Sequence, residues 1–317
     1  MSLQHPHPEP RSYPLMLRTW NYAPWRPAVG LVLLPLAMFV VAPLVLFPLL
    51  AVTVALDHTG SYATALENAA KLDPVTWQGL LYLNLSLAAL VPCVWLIVRW
   101  LHGMRPRWLM SVKPGIRWRF FLACLGLSVV AIGAQLTVGA FLPGDANNVG
   151  TGWNDITSTL VKMLVVVALT TPLQAMGEEY AFRGYLLQAV GSLTRQPWFA
   201  IVVSGFFFGL AHGVQNAPLF VDRFAFGVLA AYLVYRTGGL EAGIALHIWN
   251  NVVAFGFAIF IGNIDDTLNV TEVSWWNLPL TITQNGVYLL LVLYVAKRMG
   301  ITARTTPPVL LPASPAV

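Results

Sequence analysis

Apolar stretches separated by short polar, glycine- or proline-bearing joins organise the whole chain. A membrane-spanning helix needs about 20 mainly apolar residues. That length predicts helices over 28–56, 77–101, 118–142, 158–190, 197–213, 219–236, 239–262 and 279–297. The fold class expected is therefore all-α, a polytopic membrane helical bundle of about eight transmembrane helices. Pro35, Pro43 and Pro48 fall inside the first helix and predict a kink there. The fifth to seventh helices are closely spaced and are expected to pack as sequential antiparallel neighbours. The joins at 57–76, 143–157 and 263–278 are rich in Asp, Asn, Gly and Thr, as solvated loops are. Residues 1–27 and 299–317 read as mobile tails. The first apolar run is too long for the core of a cleavable leader, so the first helix is expected to insert the chain. No internal repeat is evident, which disfavours an inverted-repeat transporter.

Composition strengthens the membrane reading. The chain is 57% hydrophobic and 10% charged, whereas a soluble domain is about 25% charged. The net charge of +5 does not point to nucleic acid, because the cations sit mostly between the apolar segments and act as topology signals. Of the 18 Lys and Arg residues, those on the side of the two termini run from Arg11 to Arg304. Only Lys71, Lys162 and Arg223 fall on the opposite side, and Arg183 falls within the membrane region. That bias predicts both termini in the cytoplasm and a multi-pass protein of the plasma membrane, in contact with membrane lipid. Cys93 and Cys124 lie in apolar runs and are expected to be packing residues, not a disulfide or metal site. Oligomeric state is not legible.

A few titratable groups lie where lipid should exclude them. Glu178, Glu179 and Arg183 fall in the fourth apolar segment, and His212 and His247 in the fifth and seventh. An ionisable group at the bilayer centre costs roughly 2.5–3.5 kcal/mol on insertion scales, so such groups generally pair or do chemistry. Glu179 and Arg183 are four apart, on one helix face, with the acid N-terminal, which is the favoured order for an ion pair. Glu178 lies about 100° round the helix and has no such partner on its own helix. An unpaired carboxylate in an apolar setting suits a general base. His247 and Asn251 are four apart on the seventh helix, and Phe208 and His212 on the fifth.

Taken singly, each feature has a simpler explanation. A Glu–Arg pair is commonly structural, a lone histidine commonly packs, and Asn251 or the adjacent Asn250 could bridge helices. Gly205, Gly209, Gly213 and Gly243 fit close-packing positions. Clustering on three helices argues for a common interior cavity. At 1.5 Å per residue, these boundaries place His212 nearer the outer face than His247, so a shared site demands tilted, kinked or shifted helices.

Glu178-Glu179-Tyr-Ala-Phe-Arg183 resembles the EExxxR motif of the CPBP intramembrane proteases, the CAAX prenyl protease or Abi family. Phe208-Gly-Leu-Ala-His212 matches that family's FxxxH motif, and His247-Ile-Trp-Asn-Asn251 its HxxxN motif. The three occur in order, and the resemblance covers roughly 158–256. It implies an endopeptidase, type II CAAX endopeptidase-like, that cuts a membrane-associated peptide or protein substrate. The precedents are prenylated and bacteriocin-like. Carried over by motif, Glu178 activates water and His212 helps position it. His247 and Asn251 polarise the scissile carbonyl, and Glu179 and Arg183 hold the helix and tune the field. A divalent metal such as zinc could be held by Glu178, His212 and His247 with water as a fourth ligand. A metal-free glutamate mechanism uses the same residues, and no HExxH motif is present.

The family also includes non-catalytic scaffolds and bacteriocin self-immunity factors, and buried Glu and His also build proton-coupled transporters. The implied division is a tail at 1–27, three helices over 28–157, a catalytic core at 158–256, the end of the seventh helix with the eighth at 257–298, and a tail at 299–317.

Overall fold

The computed structural model describes residues 6–143 and 152–307. The chain is 73% helical with no strand among the described residues. The apolar stretches form α1 (Trp25–Leu56), α2 (Trp77–Leu101), α3 (Trp118–Gly139), α4 (Ser158–Thr194), α5 (Pro197–Leu210), α6 (Ala217–Thr237), α7 (Glu241–Phe260) and α8 (Asn277–Arg298). All but α5 are long and apolar enough to cross a membrane, which gives 7 candidate spans among the described residues. α5 has 14 residues, about 21 Å of helix, short of a bilayer core of about 30 Å. The chain is a multi-pass membrane protein with, among the described residues, seven apolar helices long enough to span and one shorter apolar helix, where about eight spans were expected.

Local chemistry sets the helix starts. Thr76, Thr157 and Asn216 each accept a backbone N–H from three residues on, capping α2, α4 and α6. α6 stops at Gly238 in the left-handed region, φ 70°. A Cβ at Gly238 would also stand 2.7 Å from Thr302 O, so both conformation and space require glycine. α1 runs on through Pro35 and Pro48 with a π-helical turn at Ala37–Val41. A proline removes one bond from the helical ladder, and a shifted turn accommodates the loss. Further π turns close α2 at Ile97–Leu101 and, at Tyr180–Leu186, follow the two glutamates in α4.

α4 is central. It packs on α2 and α7, and α7 in turn packs on α3. α5 and α6 form an antiparallel pair, and α8 lies against α3 and α6. The expected antiparallel series of the fifth to seventh helices holds for α5 and α6, whereas α7 leans mainly on α4 and α3. Glycine sets the closest approaches: a Cβ at Gly177 would be 2.0 Å from Leu87 O on α2, and one at Gly227 would be 2.7 Å from Gly205 Cα on α5.

Polar contacts gather the connections at two ends. At one end Asp57 holds Lys162 and Trp77, Val75 N donates to Asp265, and Asn154 N donates to Phe260 O. The remainder of the expected outer loop 143–157 includes residues outside those described. At the other end the fully buried Glu241 receives Arg117 through both carboxylate oxygens, 2.8 and 2.6 Å, and Arg117 Nη1 donates to Thr237 O at 2.7 Å. Thr305 N donates to Arg11 O at 2.9 Å, so both ends of the described chain meet there.

The tails are not loose where they are described. Tyr13, Met16 and Leu17 are fully buried. Tyr13 hydroxyl donates to Leu109 O, and Arg18 Nε donates to Ser192 O at 2.9 Å. A Cβ at Gly191 on α4 would be 2.4 Å from Pro14 O. The expectation of mobile extensions is therefore corrected for 6–24 and 299–307. The apolar run Tyr13-Pro-Leu-Met-Leu17 has a groove at the foot of α4 to fill. Cys93 and Cys124 are free, and Cys124 is buried.

Candidate active site

Glu178 and Glu179 end the α-helical part of α4, Arg183 lies in the π turn that follows, and all three are buried. The expected ion pair is present: Arg183 Nη1 stands 2.9 Å from Glu179 Oε1, both side chains fully buried. Arg183 also lies over the rings of Phe208 at 4.0 Å and Phe226 at 5.6 Å. Two aromatic faces thus supply the cation with favourable field where water is excluded. That gives the phenylalanine of the FxxxH motif a physical task. Gly243 on α7 leaves room for the second oxygen, because a Cβ there would be 2.6 Å from Glu179 Oε2.

His247, in the second turn of α7, stands between the two carboxylates. Its Nδ1 is 2.9 Å from Glu179 Oε1, and its Nε2 is 3.3 Å from Glu178 Oε2. Both ring nitrogens thus face carboxylate oxygens.

Glu178 is not alone on its helix, contrary to expectation. Gln174, one turn earlier, donates from Nε2 to Glu178 Oε1 at 2.9 Å. Asn251 Nδ2 donates to Gln174 Oε1 at 3.0 Å. One buried amide therefore ties the first motif to the third. The sequence signal existed, since Gln174 and Glu178 share the i,i+4 spacing used for Glu179 and Arg183. A neutral amide simply drew no notice among charges. Asn250 and Asn251 both line the cavity described below but differ in their partners: Asn251 reaches Gln174, while Asn250 Oδ1 accepts Gln284 Nε2 of α8 at 3.2 Å.

His212 lies beyond α5, in the turn that follows it, and not within a helix as expected. Its Nδ1 pairs with Phe208 O at 2.8 Å. Gly213 follows at φ +80°, a turn conformation rather than the close-packing role expected of it. The height mismatch expected from sequence does not keep the groups apart, because His212 lines the same cavity as Glu178, His247 and Asn251. Both imidazoles pack edge-on against the Phe208 ring, at 4.7 Å for His212 and 5.8 Å for His247.

Glu178, His212, His247 and Asn251 all line one cavity of about 740 Å³. Glu179 and Arg183 stand behind its wall. Residues of α1, α2, α6 and α8 complete the lining, and the cavity reaches Leu72 and Leu268 at the end of the bundle that carries Asp57 and Asp265. Alongside lies an apolar chamber of about 390 Å³ between α1, α4 and α5. Met38, Phe39, Phe182 and Ala211 line both spaces. Asp222 and Arg223, the latter read from sequence as lying on the side opposite the termini, also line the cavity.

The three residues named as a zinc set do not form one in this arrangement. His247 turns Nε2 to Glu178 and Nδ1 to Glu179. Among the described residues no group of three or more His, Cys, Asp and Glu side chains is placed to hold a metal ion.

Residues 158–253 match the family model described as type II CAAX prenyl endopeptidase Rce1-like. The match begins at the first residue of α4 and ends two residues beyond Asn251, and so contains all three motifs. The chain is also 26% identical over 220 residues to the uncharacterized protein YyaK of Bacillus subtilis (strain 168), covering 66% of this chain and 72% of that one.

Proposed function

We propose, from the premise that residues 158–253 are Rce1-like, that this protein is an intramembrane endopeptidase acting on a membrane-associated peptide or protein. The observation that carries the reading is the convergence of Glu178, His212, His247 and Asn251 on one cavity inside a membrane bundle. In this reading Glu178 takes a proton from water, and the Gln174 amide holds its carboxylate in place. His212 positions the water from the opposite wall. His247 and Asn251 donate to the scissile carbonyl as charge builds on its oxygen, where fixed donors act most strongly. Glu179 and Arg183 touch no substrate and hold His247 and α4 in register. The protonated Glu178 then delivers its proton to the leaving amine. The apolar chamber beside the cavity suits the hydrophobic part of such a substrate, a prenyl chain or an apolar segment of a bacteriocin-like peptide.

The test is cleavage of membrane-anchored peptides by purified protein, with metal content measured on the same sample. A positioned general base contributes about 10²–10⁴-fold, so Glu178→Gln should lose at least about 10²-fold in kcat with the fold retained. His212→Ala should lose activity as well. Full biological activity in Glu178→Gln would favour a scaffold or immunity role. Glu178-dependent flux in proteoliposomes without proteolysis would favour a proton-coupled transporter.

A further inference from the structure

The cavity is polarised in a way the hydrolytic groups do not use. Among the described residues that line it, Arg223 on α6 is the one lysine or arginine. The other charged and titratable groups there are already engaged. Glu178 is held by Gln174 and His247, and His212 pairs with Phe208 O. Asp222 accepts Thr281 Oγ1 of α8. Arg223 donates from Nη1 to Gln215 Oε1 at 3.2 Å, and no carboxylate among the described residues comes within 4.0 Å of it. A guanidinium has five N–H donors in a fork matched to a carboxylate, so most of its donors remain for a ligand.

Arg223 is also fixed in place. Gln215 donates from Nε2 to Gly209 O at 2.6 Å and to Gly213 O at 3.3 Å, which ties the arginine to the end of α5 and to the turn that carries His212. A donor held before the ligand arrives loses less freedom on binding. The same cavity wall carries carboxamides, Asn250, Gln284 and Asn285 among them, which can pair with the N–H and C=O groups of an extended peptide. The cavity that Glu178 lines thus holds a cation and adjoins an apolar chamber.

We propose that Arg223 anchors a carboxylate of the bound peptide, either its C-terminal carboxylate or an Asp or Glu side chain. The proposal rests on the peptidase reading and deepens it, since a fixed carboxylate sets which peptide bond lies over Glu178. Binding is the deciding measurement because it does not depend on turnover. The protein is Glu178→Gln in nanodiscs. The probe is an acylated fluorescent peptide of neutral sequence in three forms: free C-terminus, C-terminal amide, and C-terminal amide with one added glutamate.

One carboxylate form should bind at least tenfold more tightly than the neutral amide, and Arg223→Ala in the same background should erase that difference. Arg223→Lys should keep part of it. The form that shows the preference identifies the source of the carboxylate. Equal binding of all three forms, binding of none, or equal weakening of all three by Arg223→Ala overturns the proposal. So does an Arg223→Ala protein that loses phosphatidylglycerol while keeping its peptide preference, since the arginine then serves a lipid phosphate. Absence of cleavage by the unmodified protein, with the carboxylate preference intact, counts against the peptidase reading alone.

Discussion

Gln174 holds two groups with one amide, and that makes it the sharpest single-residue test of the cluster. Its Nε2 steadies Glu178 and its Oε1 receives Asn251. Gln174→Leu keeps most of the volume and removes both bonds. If the amide positions the base, kcat should fall about tenfold or more while KM stays nearly constant. Adding Asn251→Ala should then cost less than in the parent, because residues in one hydrogen-bond network are not additive. Equal, independent losses would assign Gln174 to packing alone. Arg183 poses a different question. Removing one partner of a buried ion pair leaves an uncompensated charge and costs about 3–5 kcal/mol. Arg183→Ala should therefore lower thermal stability outright. Arg183→Lys should recover little, since an ammonium cannot spread over two aromatic faces as the guanidinium does over Phe208 and Phe226.

At the scale of elements, glycine decides how near α4 comes to its neighbours. Gly243→Ala would place a methyl 2.6 Å from Glu179 Oε2. The carboxylate must swing, and it takes its contact with His247 Nδ1 along. Loss of cleavage with near-normal melting is expected, because a flexible side chain yields more readily than backbone. Gly177→Ala is harsher: its methyl would meet Leu87 backbone oxygen at 2.0 Å, forcing α2 from α4. A large fall in melting temperature is expected there, and a thermal shift assay on both variants separates the cases. The helices themselves were legible from apolar length, and α2 appears with the expected bounds. Two features were not. The π turn at Tyr180–Leu186 changes no residue count that periodicity can detect. The early end of α5 at Leu210 is hidden because the sequence stays apolar and glycine-bearing up to Gly213.

Across the whole molecule, the candidate-site residues were easier to read in the sequence than the packing of the ends. The motif residues were found because charges in an apolar run stand out. Residues 6–24 were misread because a proline-rich segment beside a long apolar helix looks like a solvated tail, although it carries Tyr13, Met16 and Leu17. Those three side chains fill the foot of the bundle beside Gly191, and Arg11 pairs with Thr305 across the chain ends. Burying each such side chain contributes about 1.5–3 kcal/mol, so deleting residues 1–18 should lower the melting temperature by at least about 5 °C. The deletion also removes the arginine that caps Ser192 O at the end of α4, only one turn and a half beyond the π segment that carries Arg183. Limited trypsin digestion gives an independent check on the intact chain. A mobile tail would be cut at Arg11 and Arg18 within the first moments, with melting unchanged. A packed plug should be cut at Arg18 only as fast as the bundle itself opens.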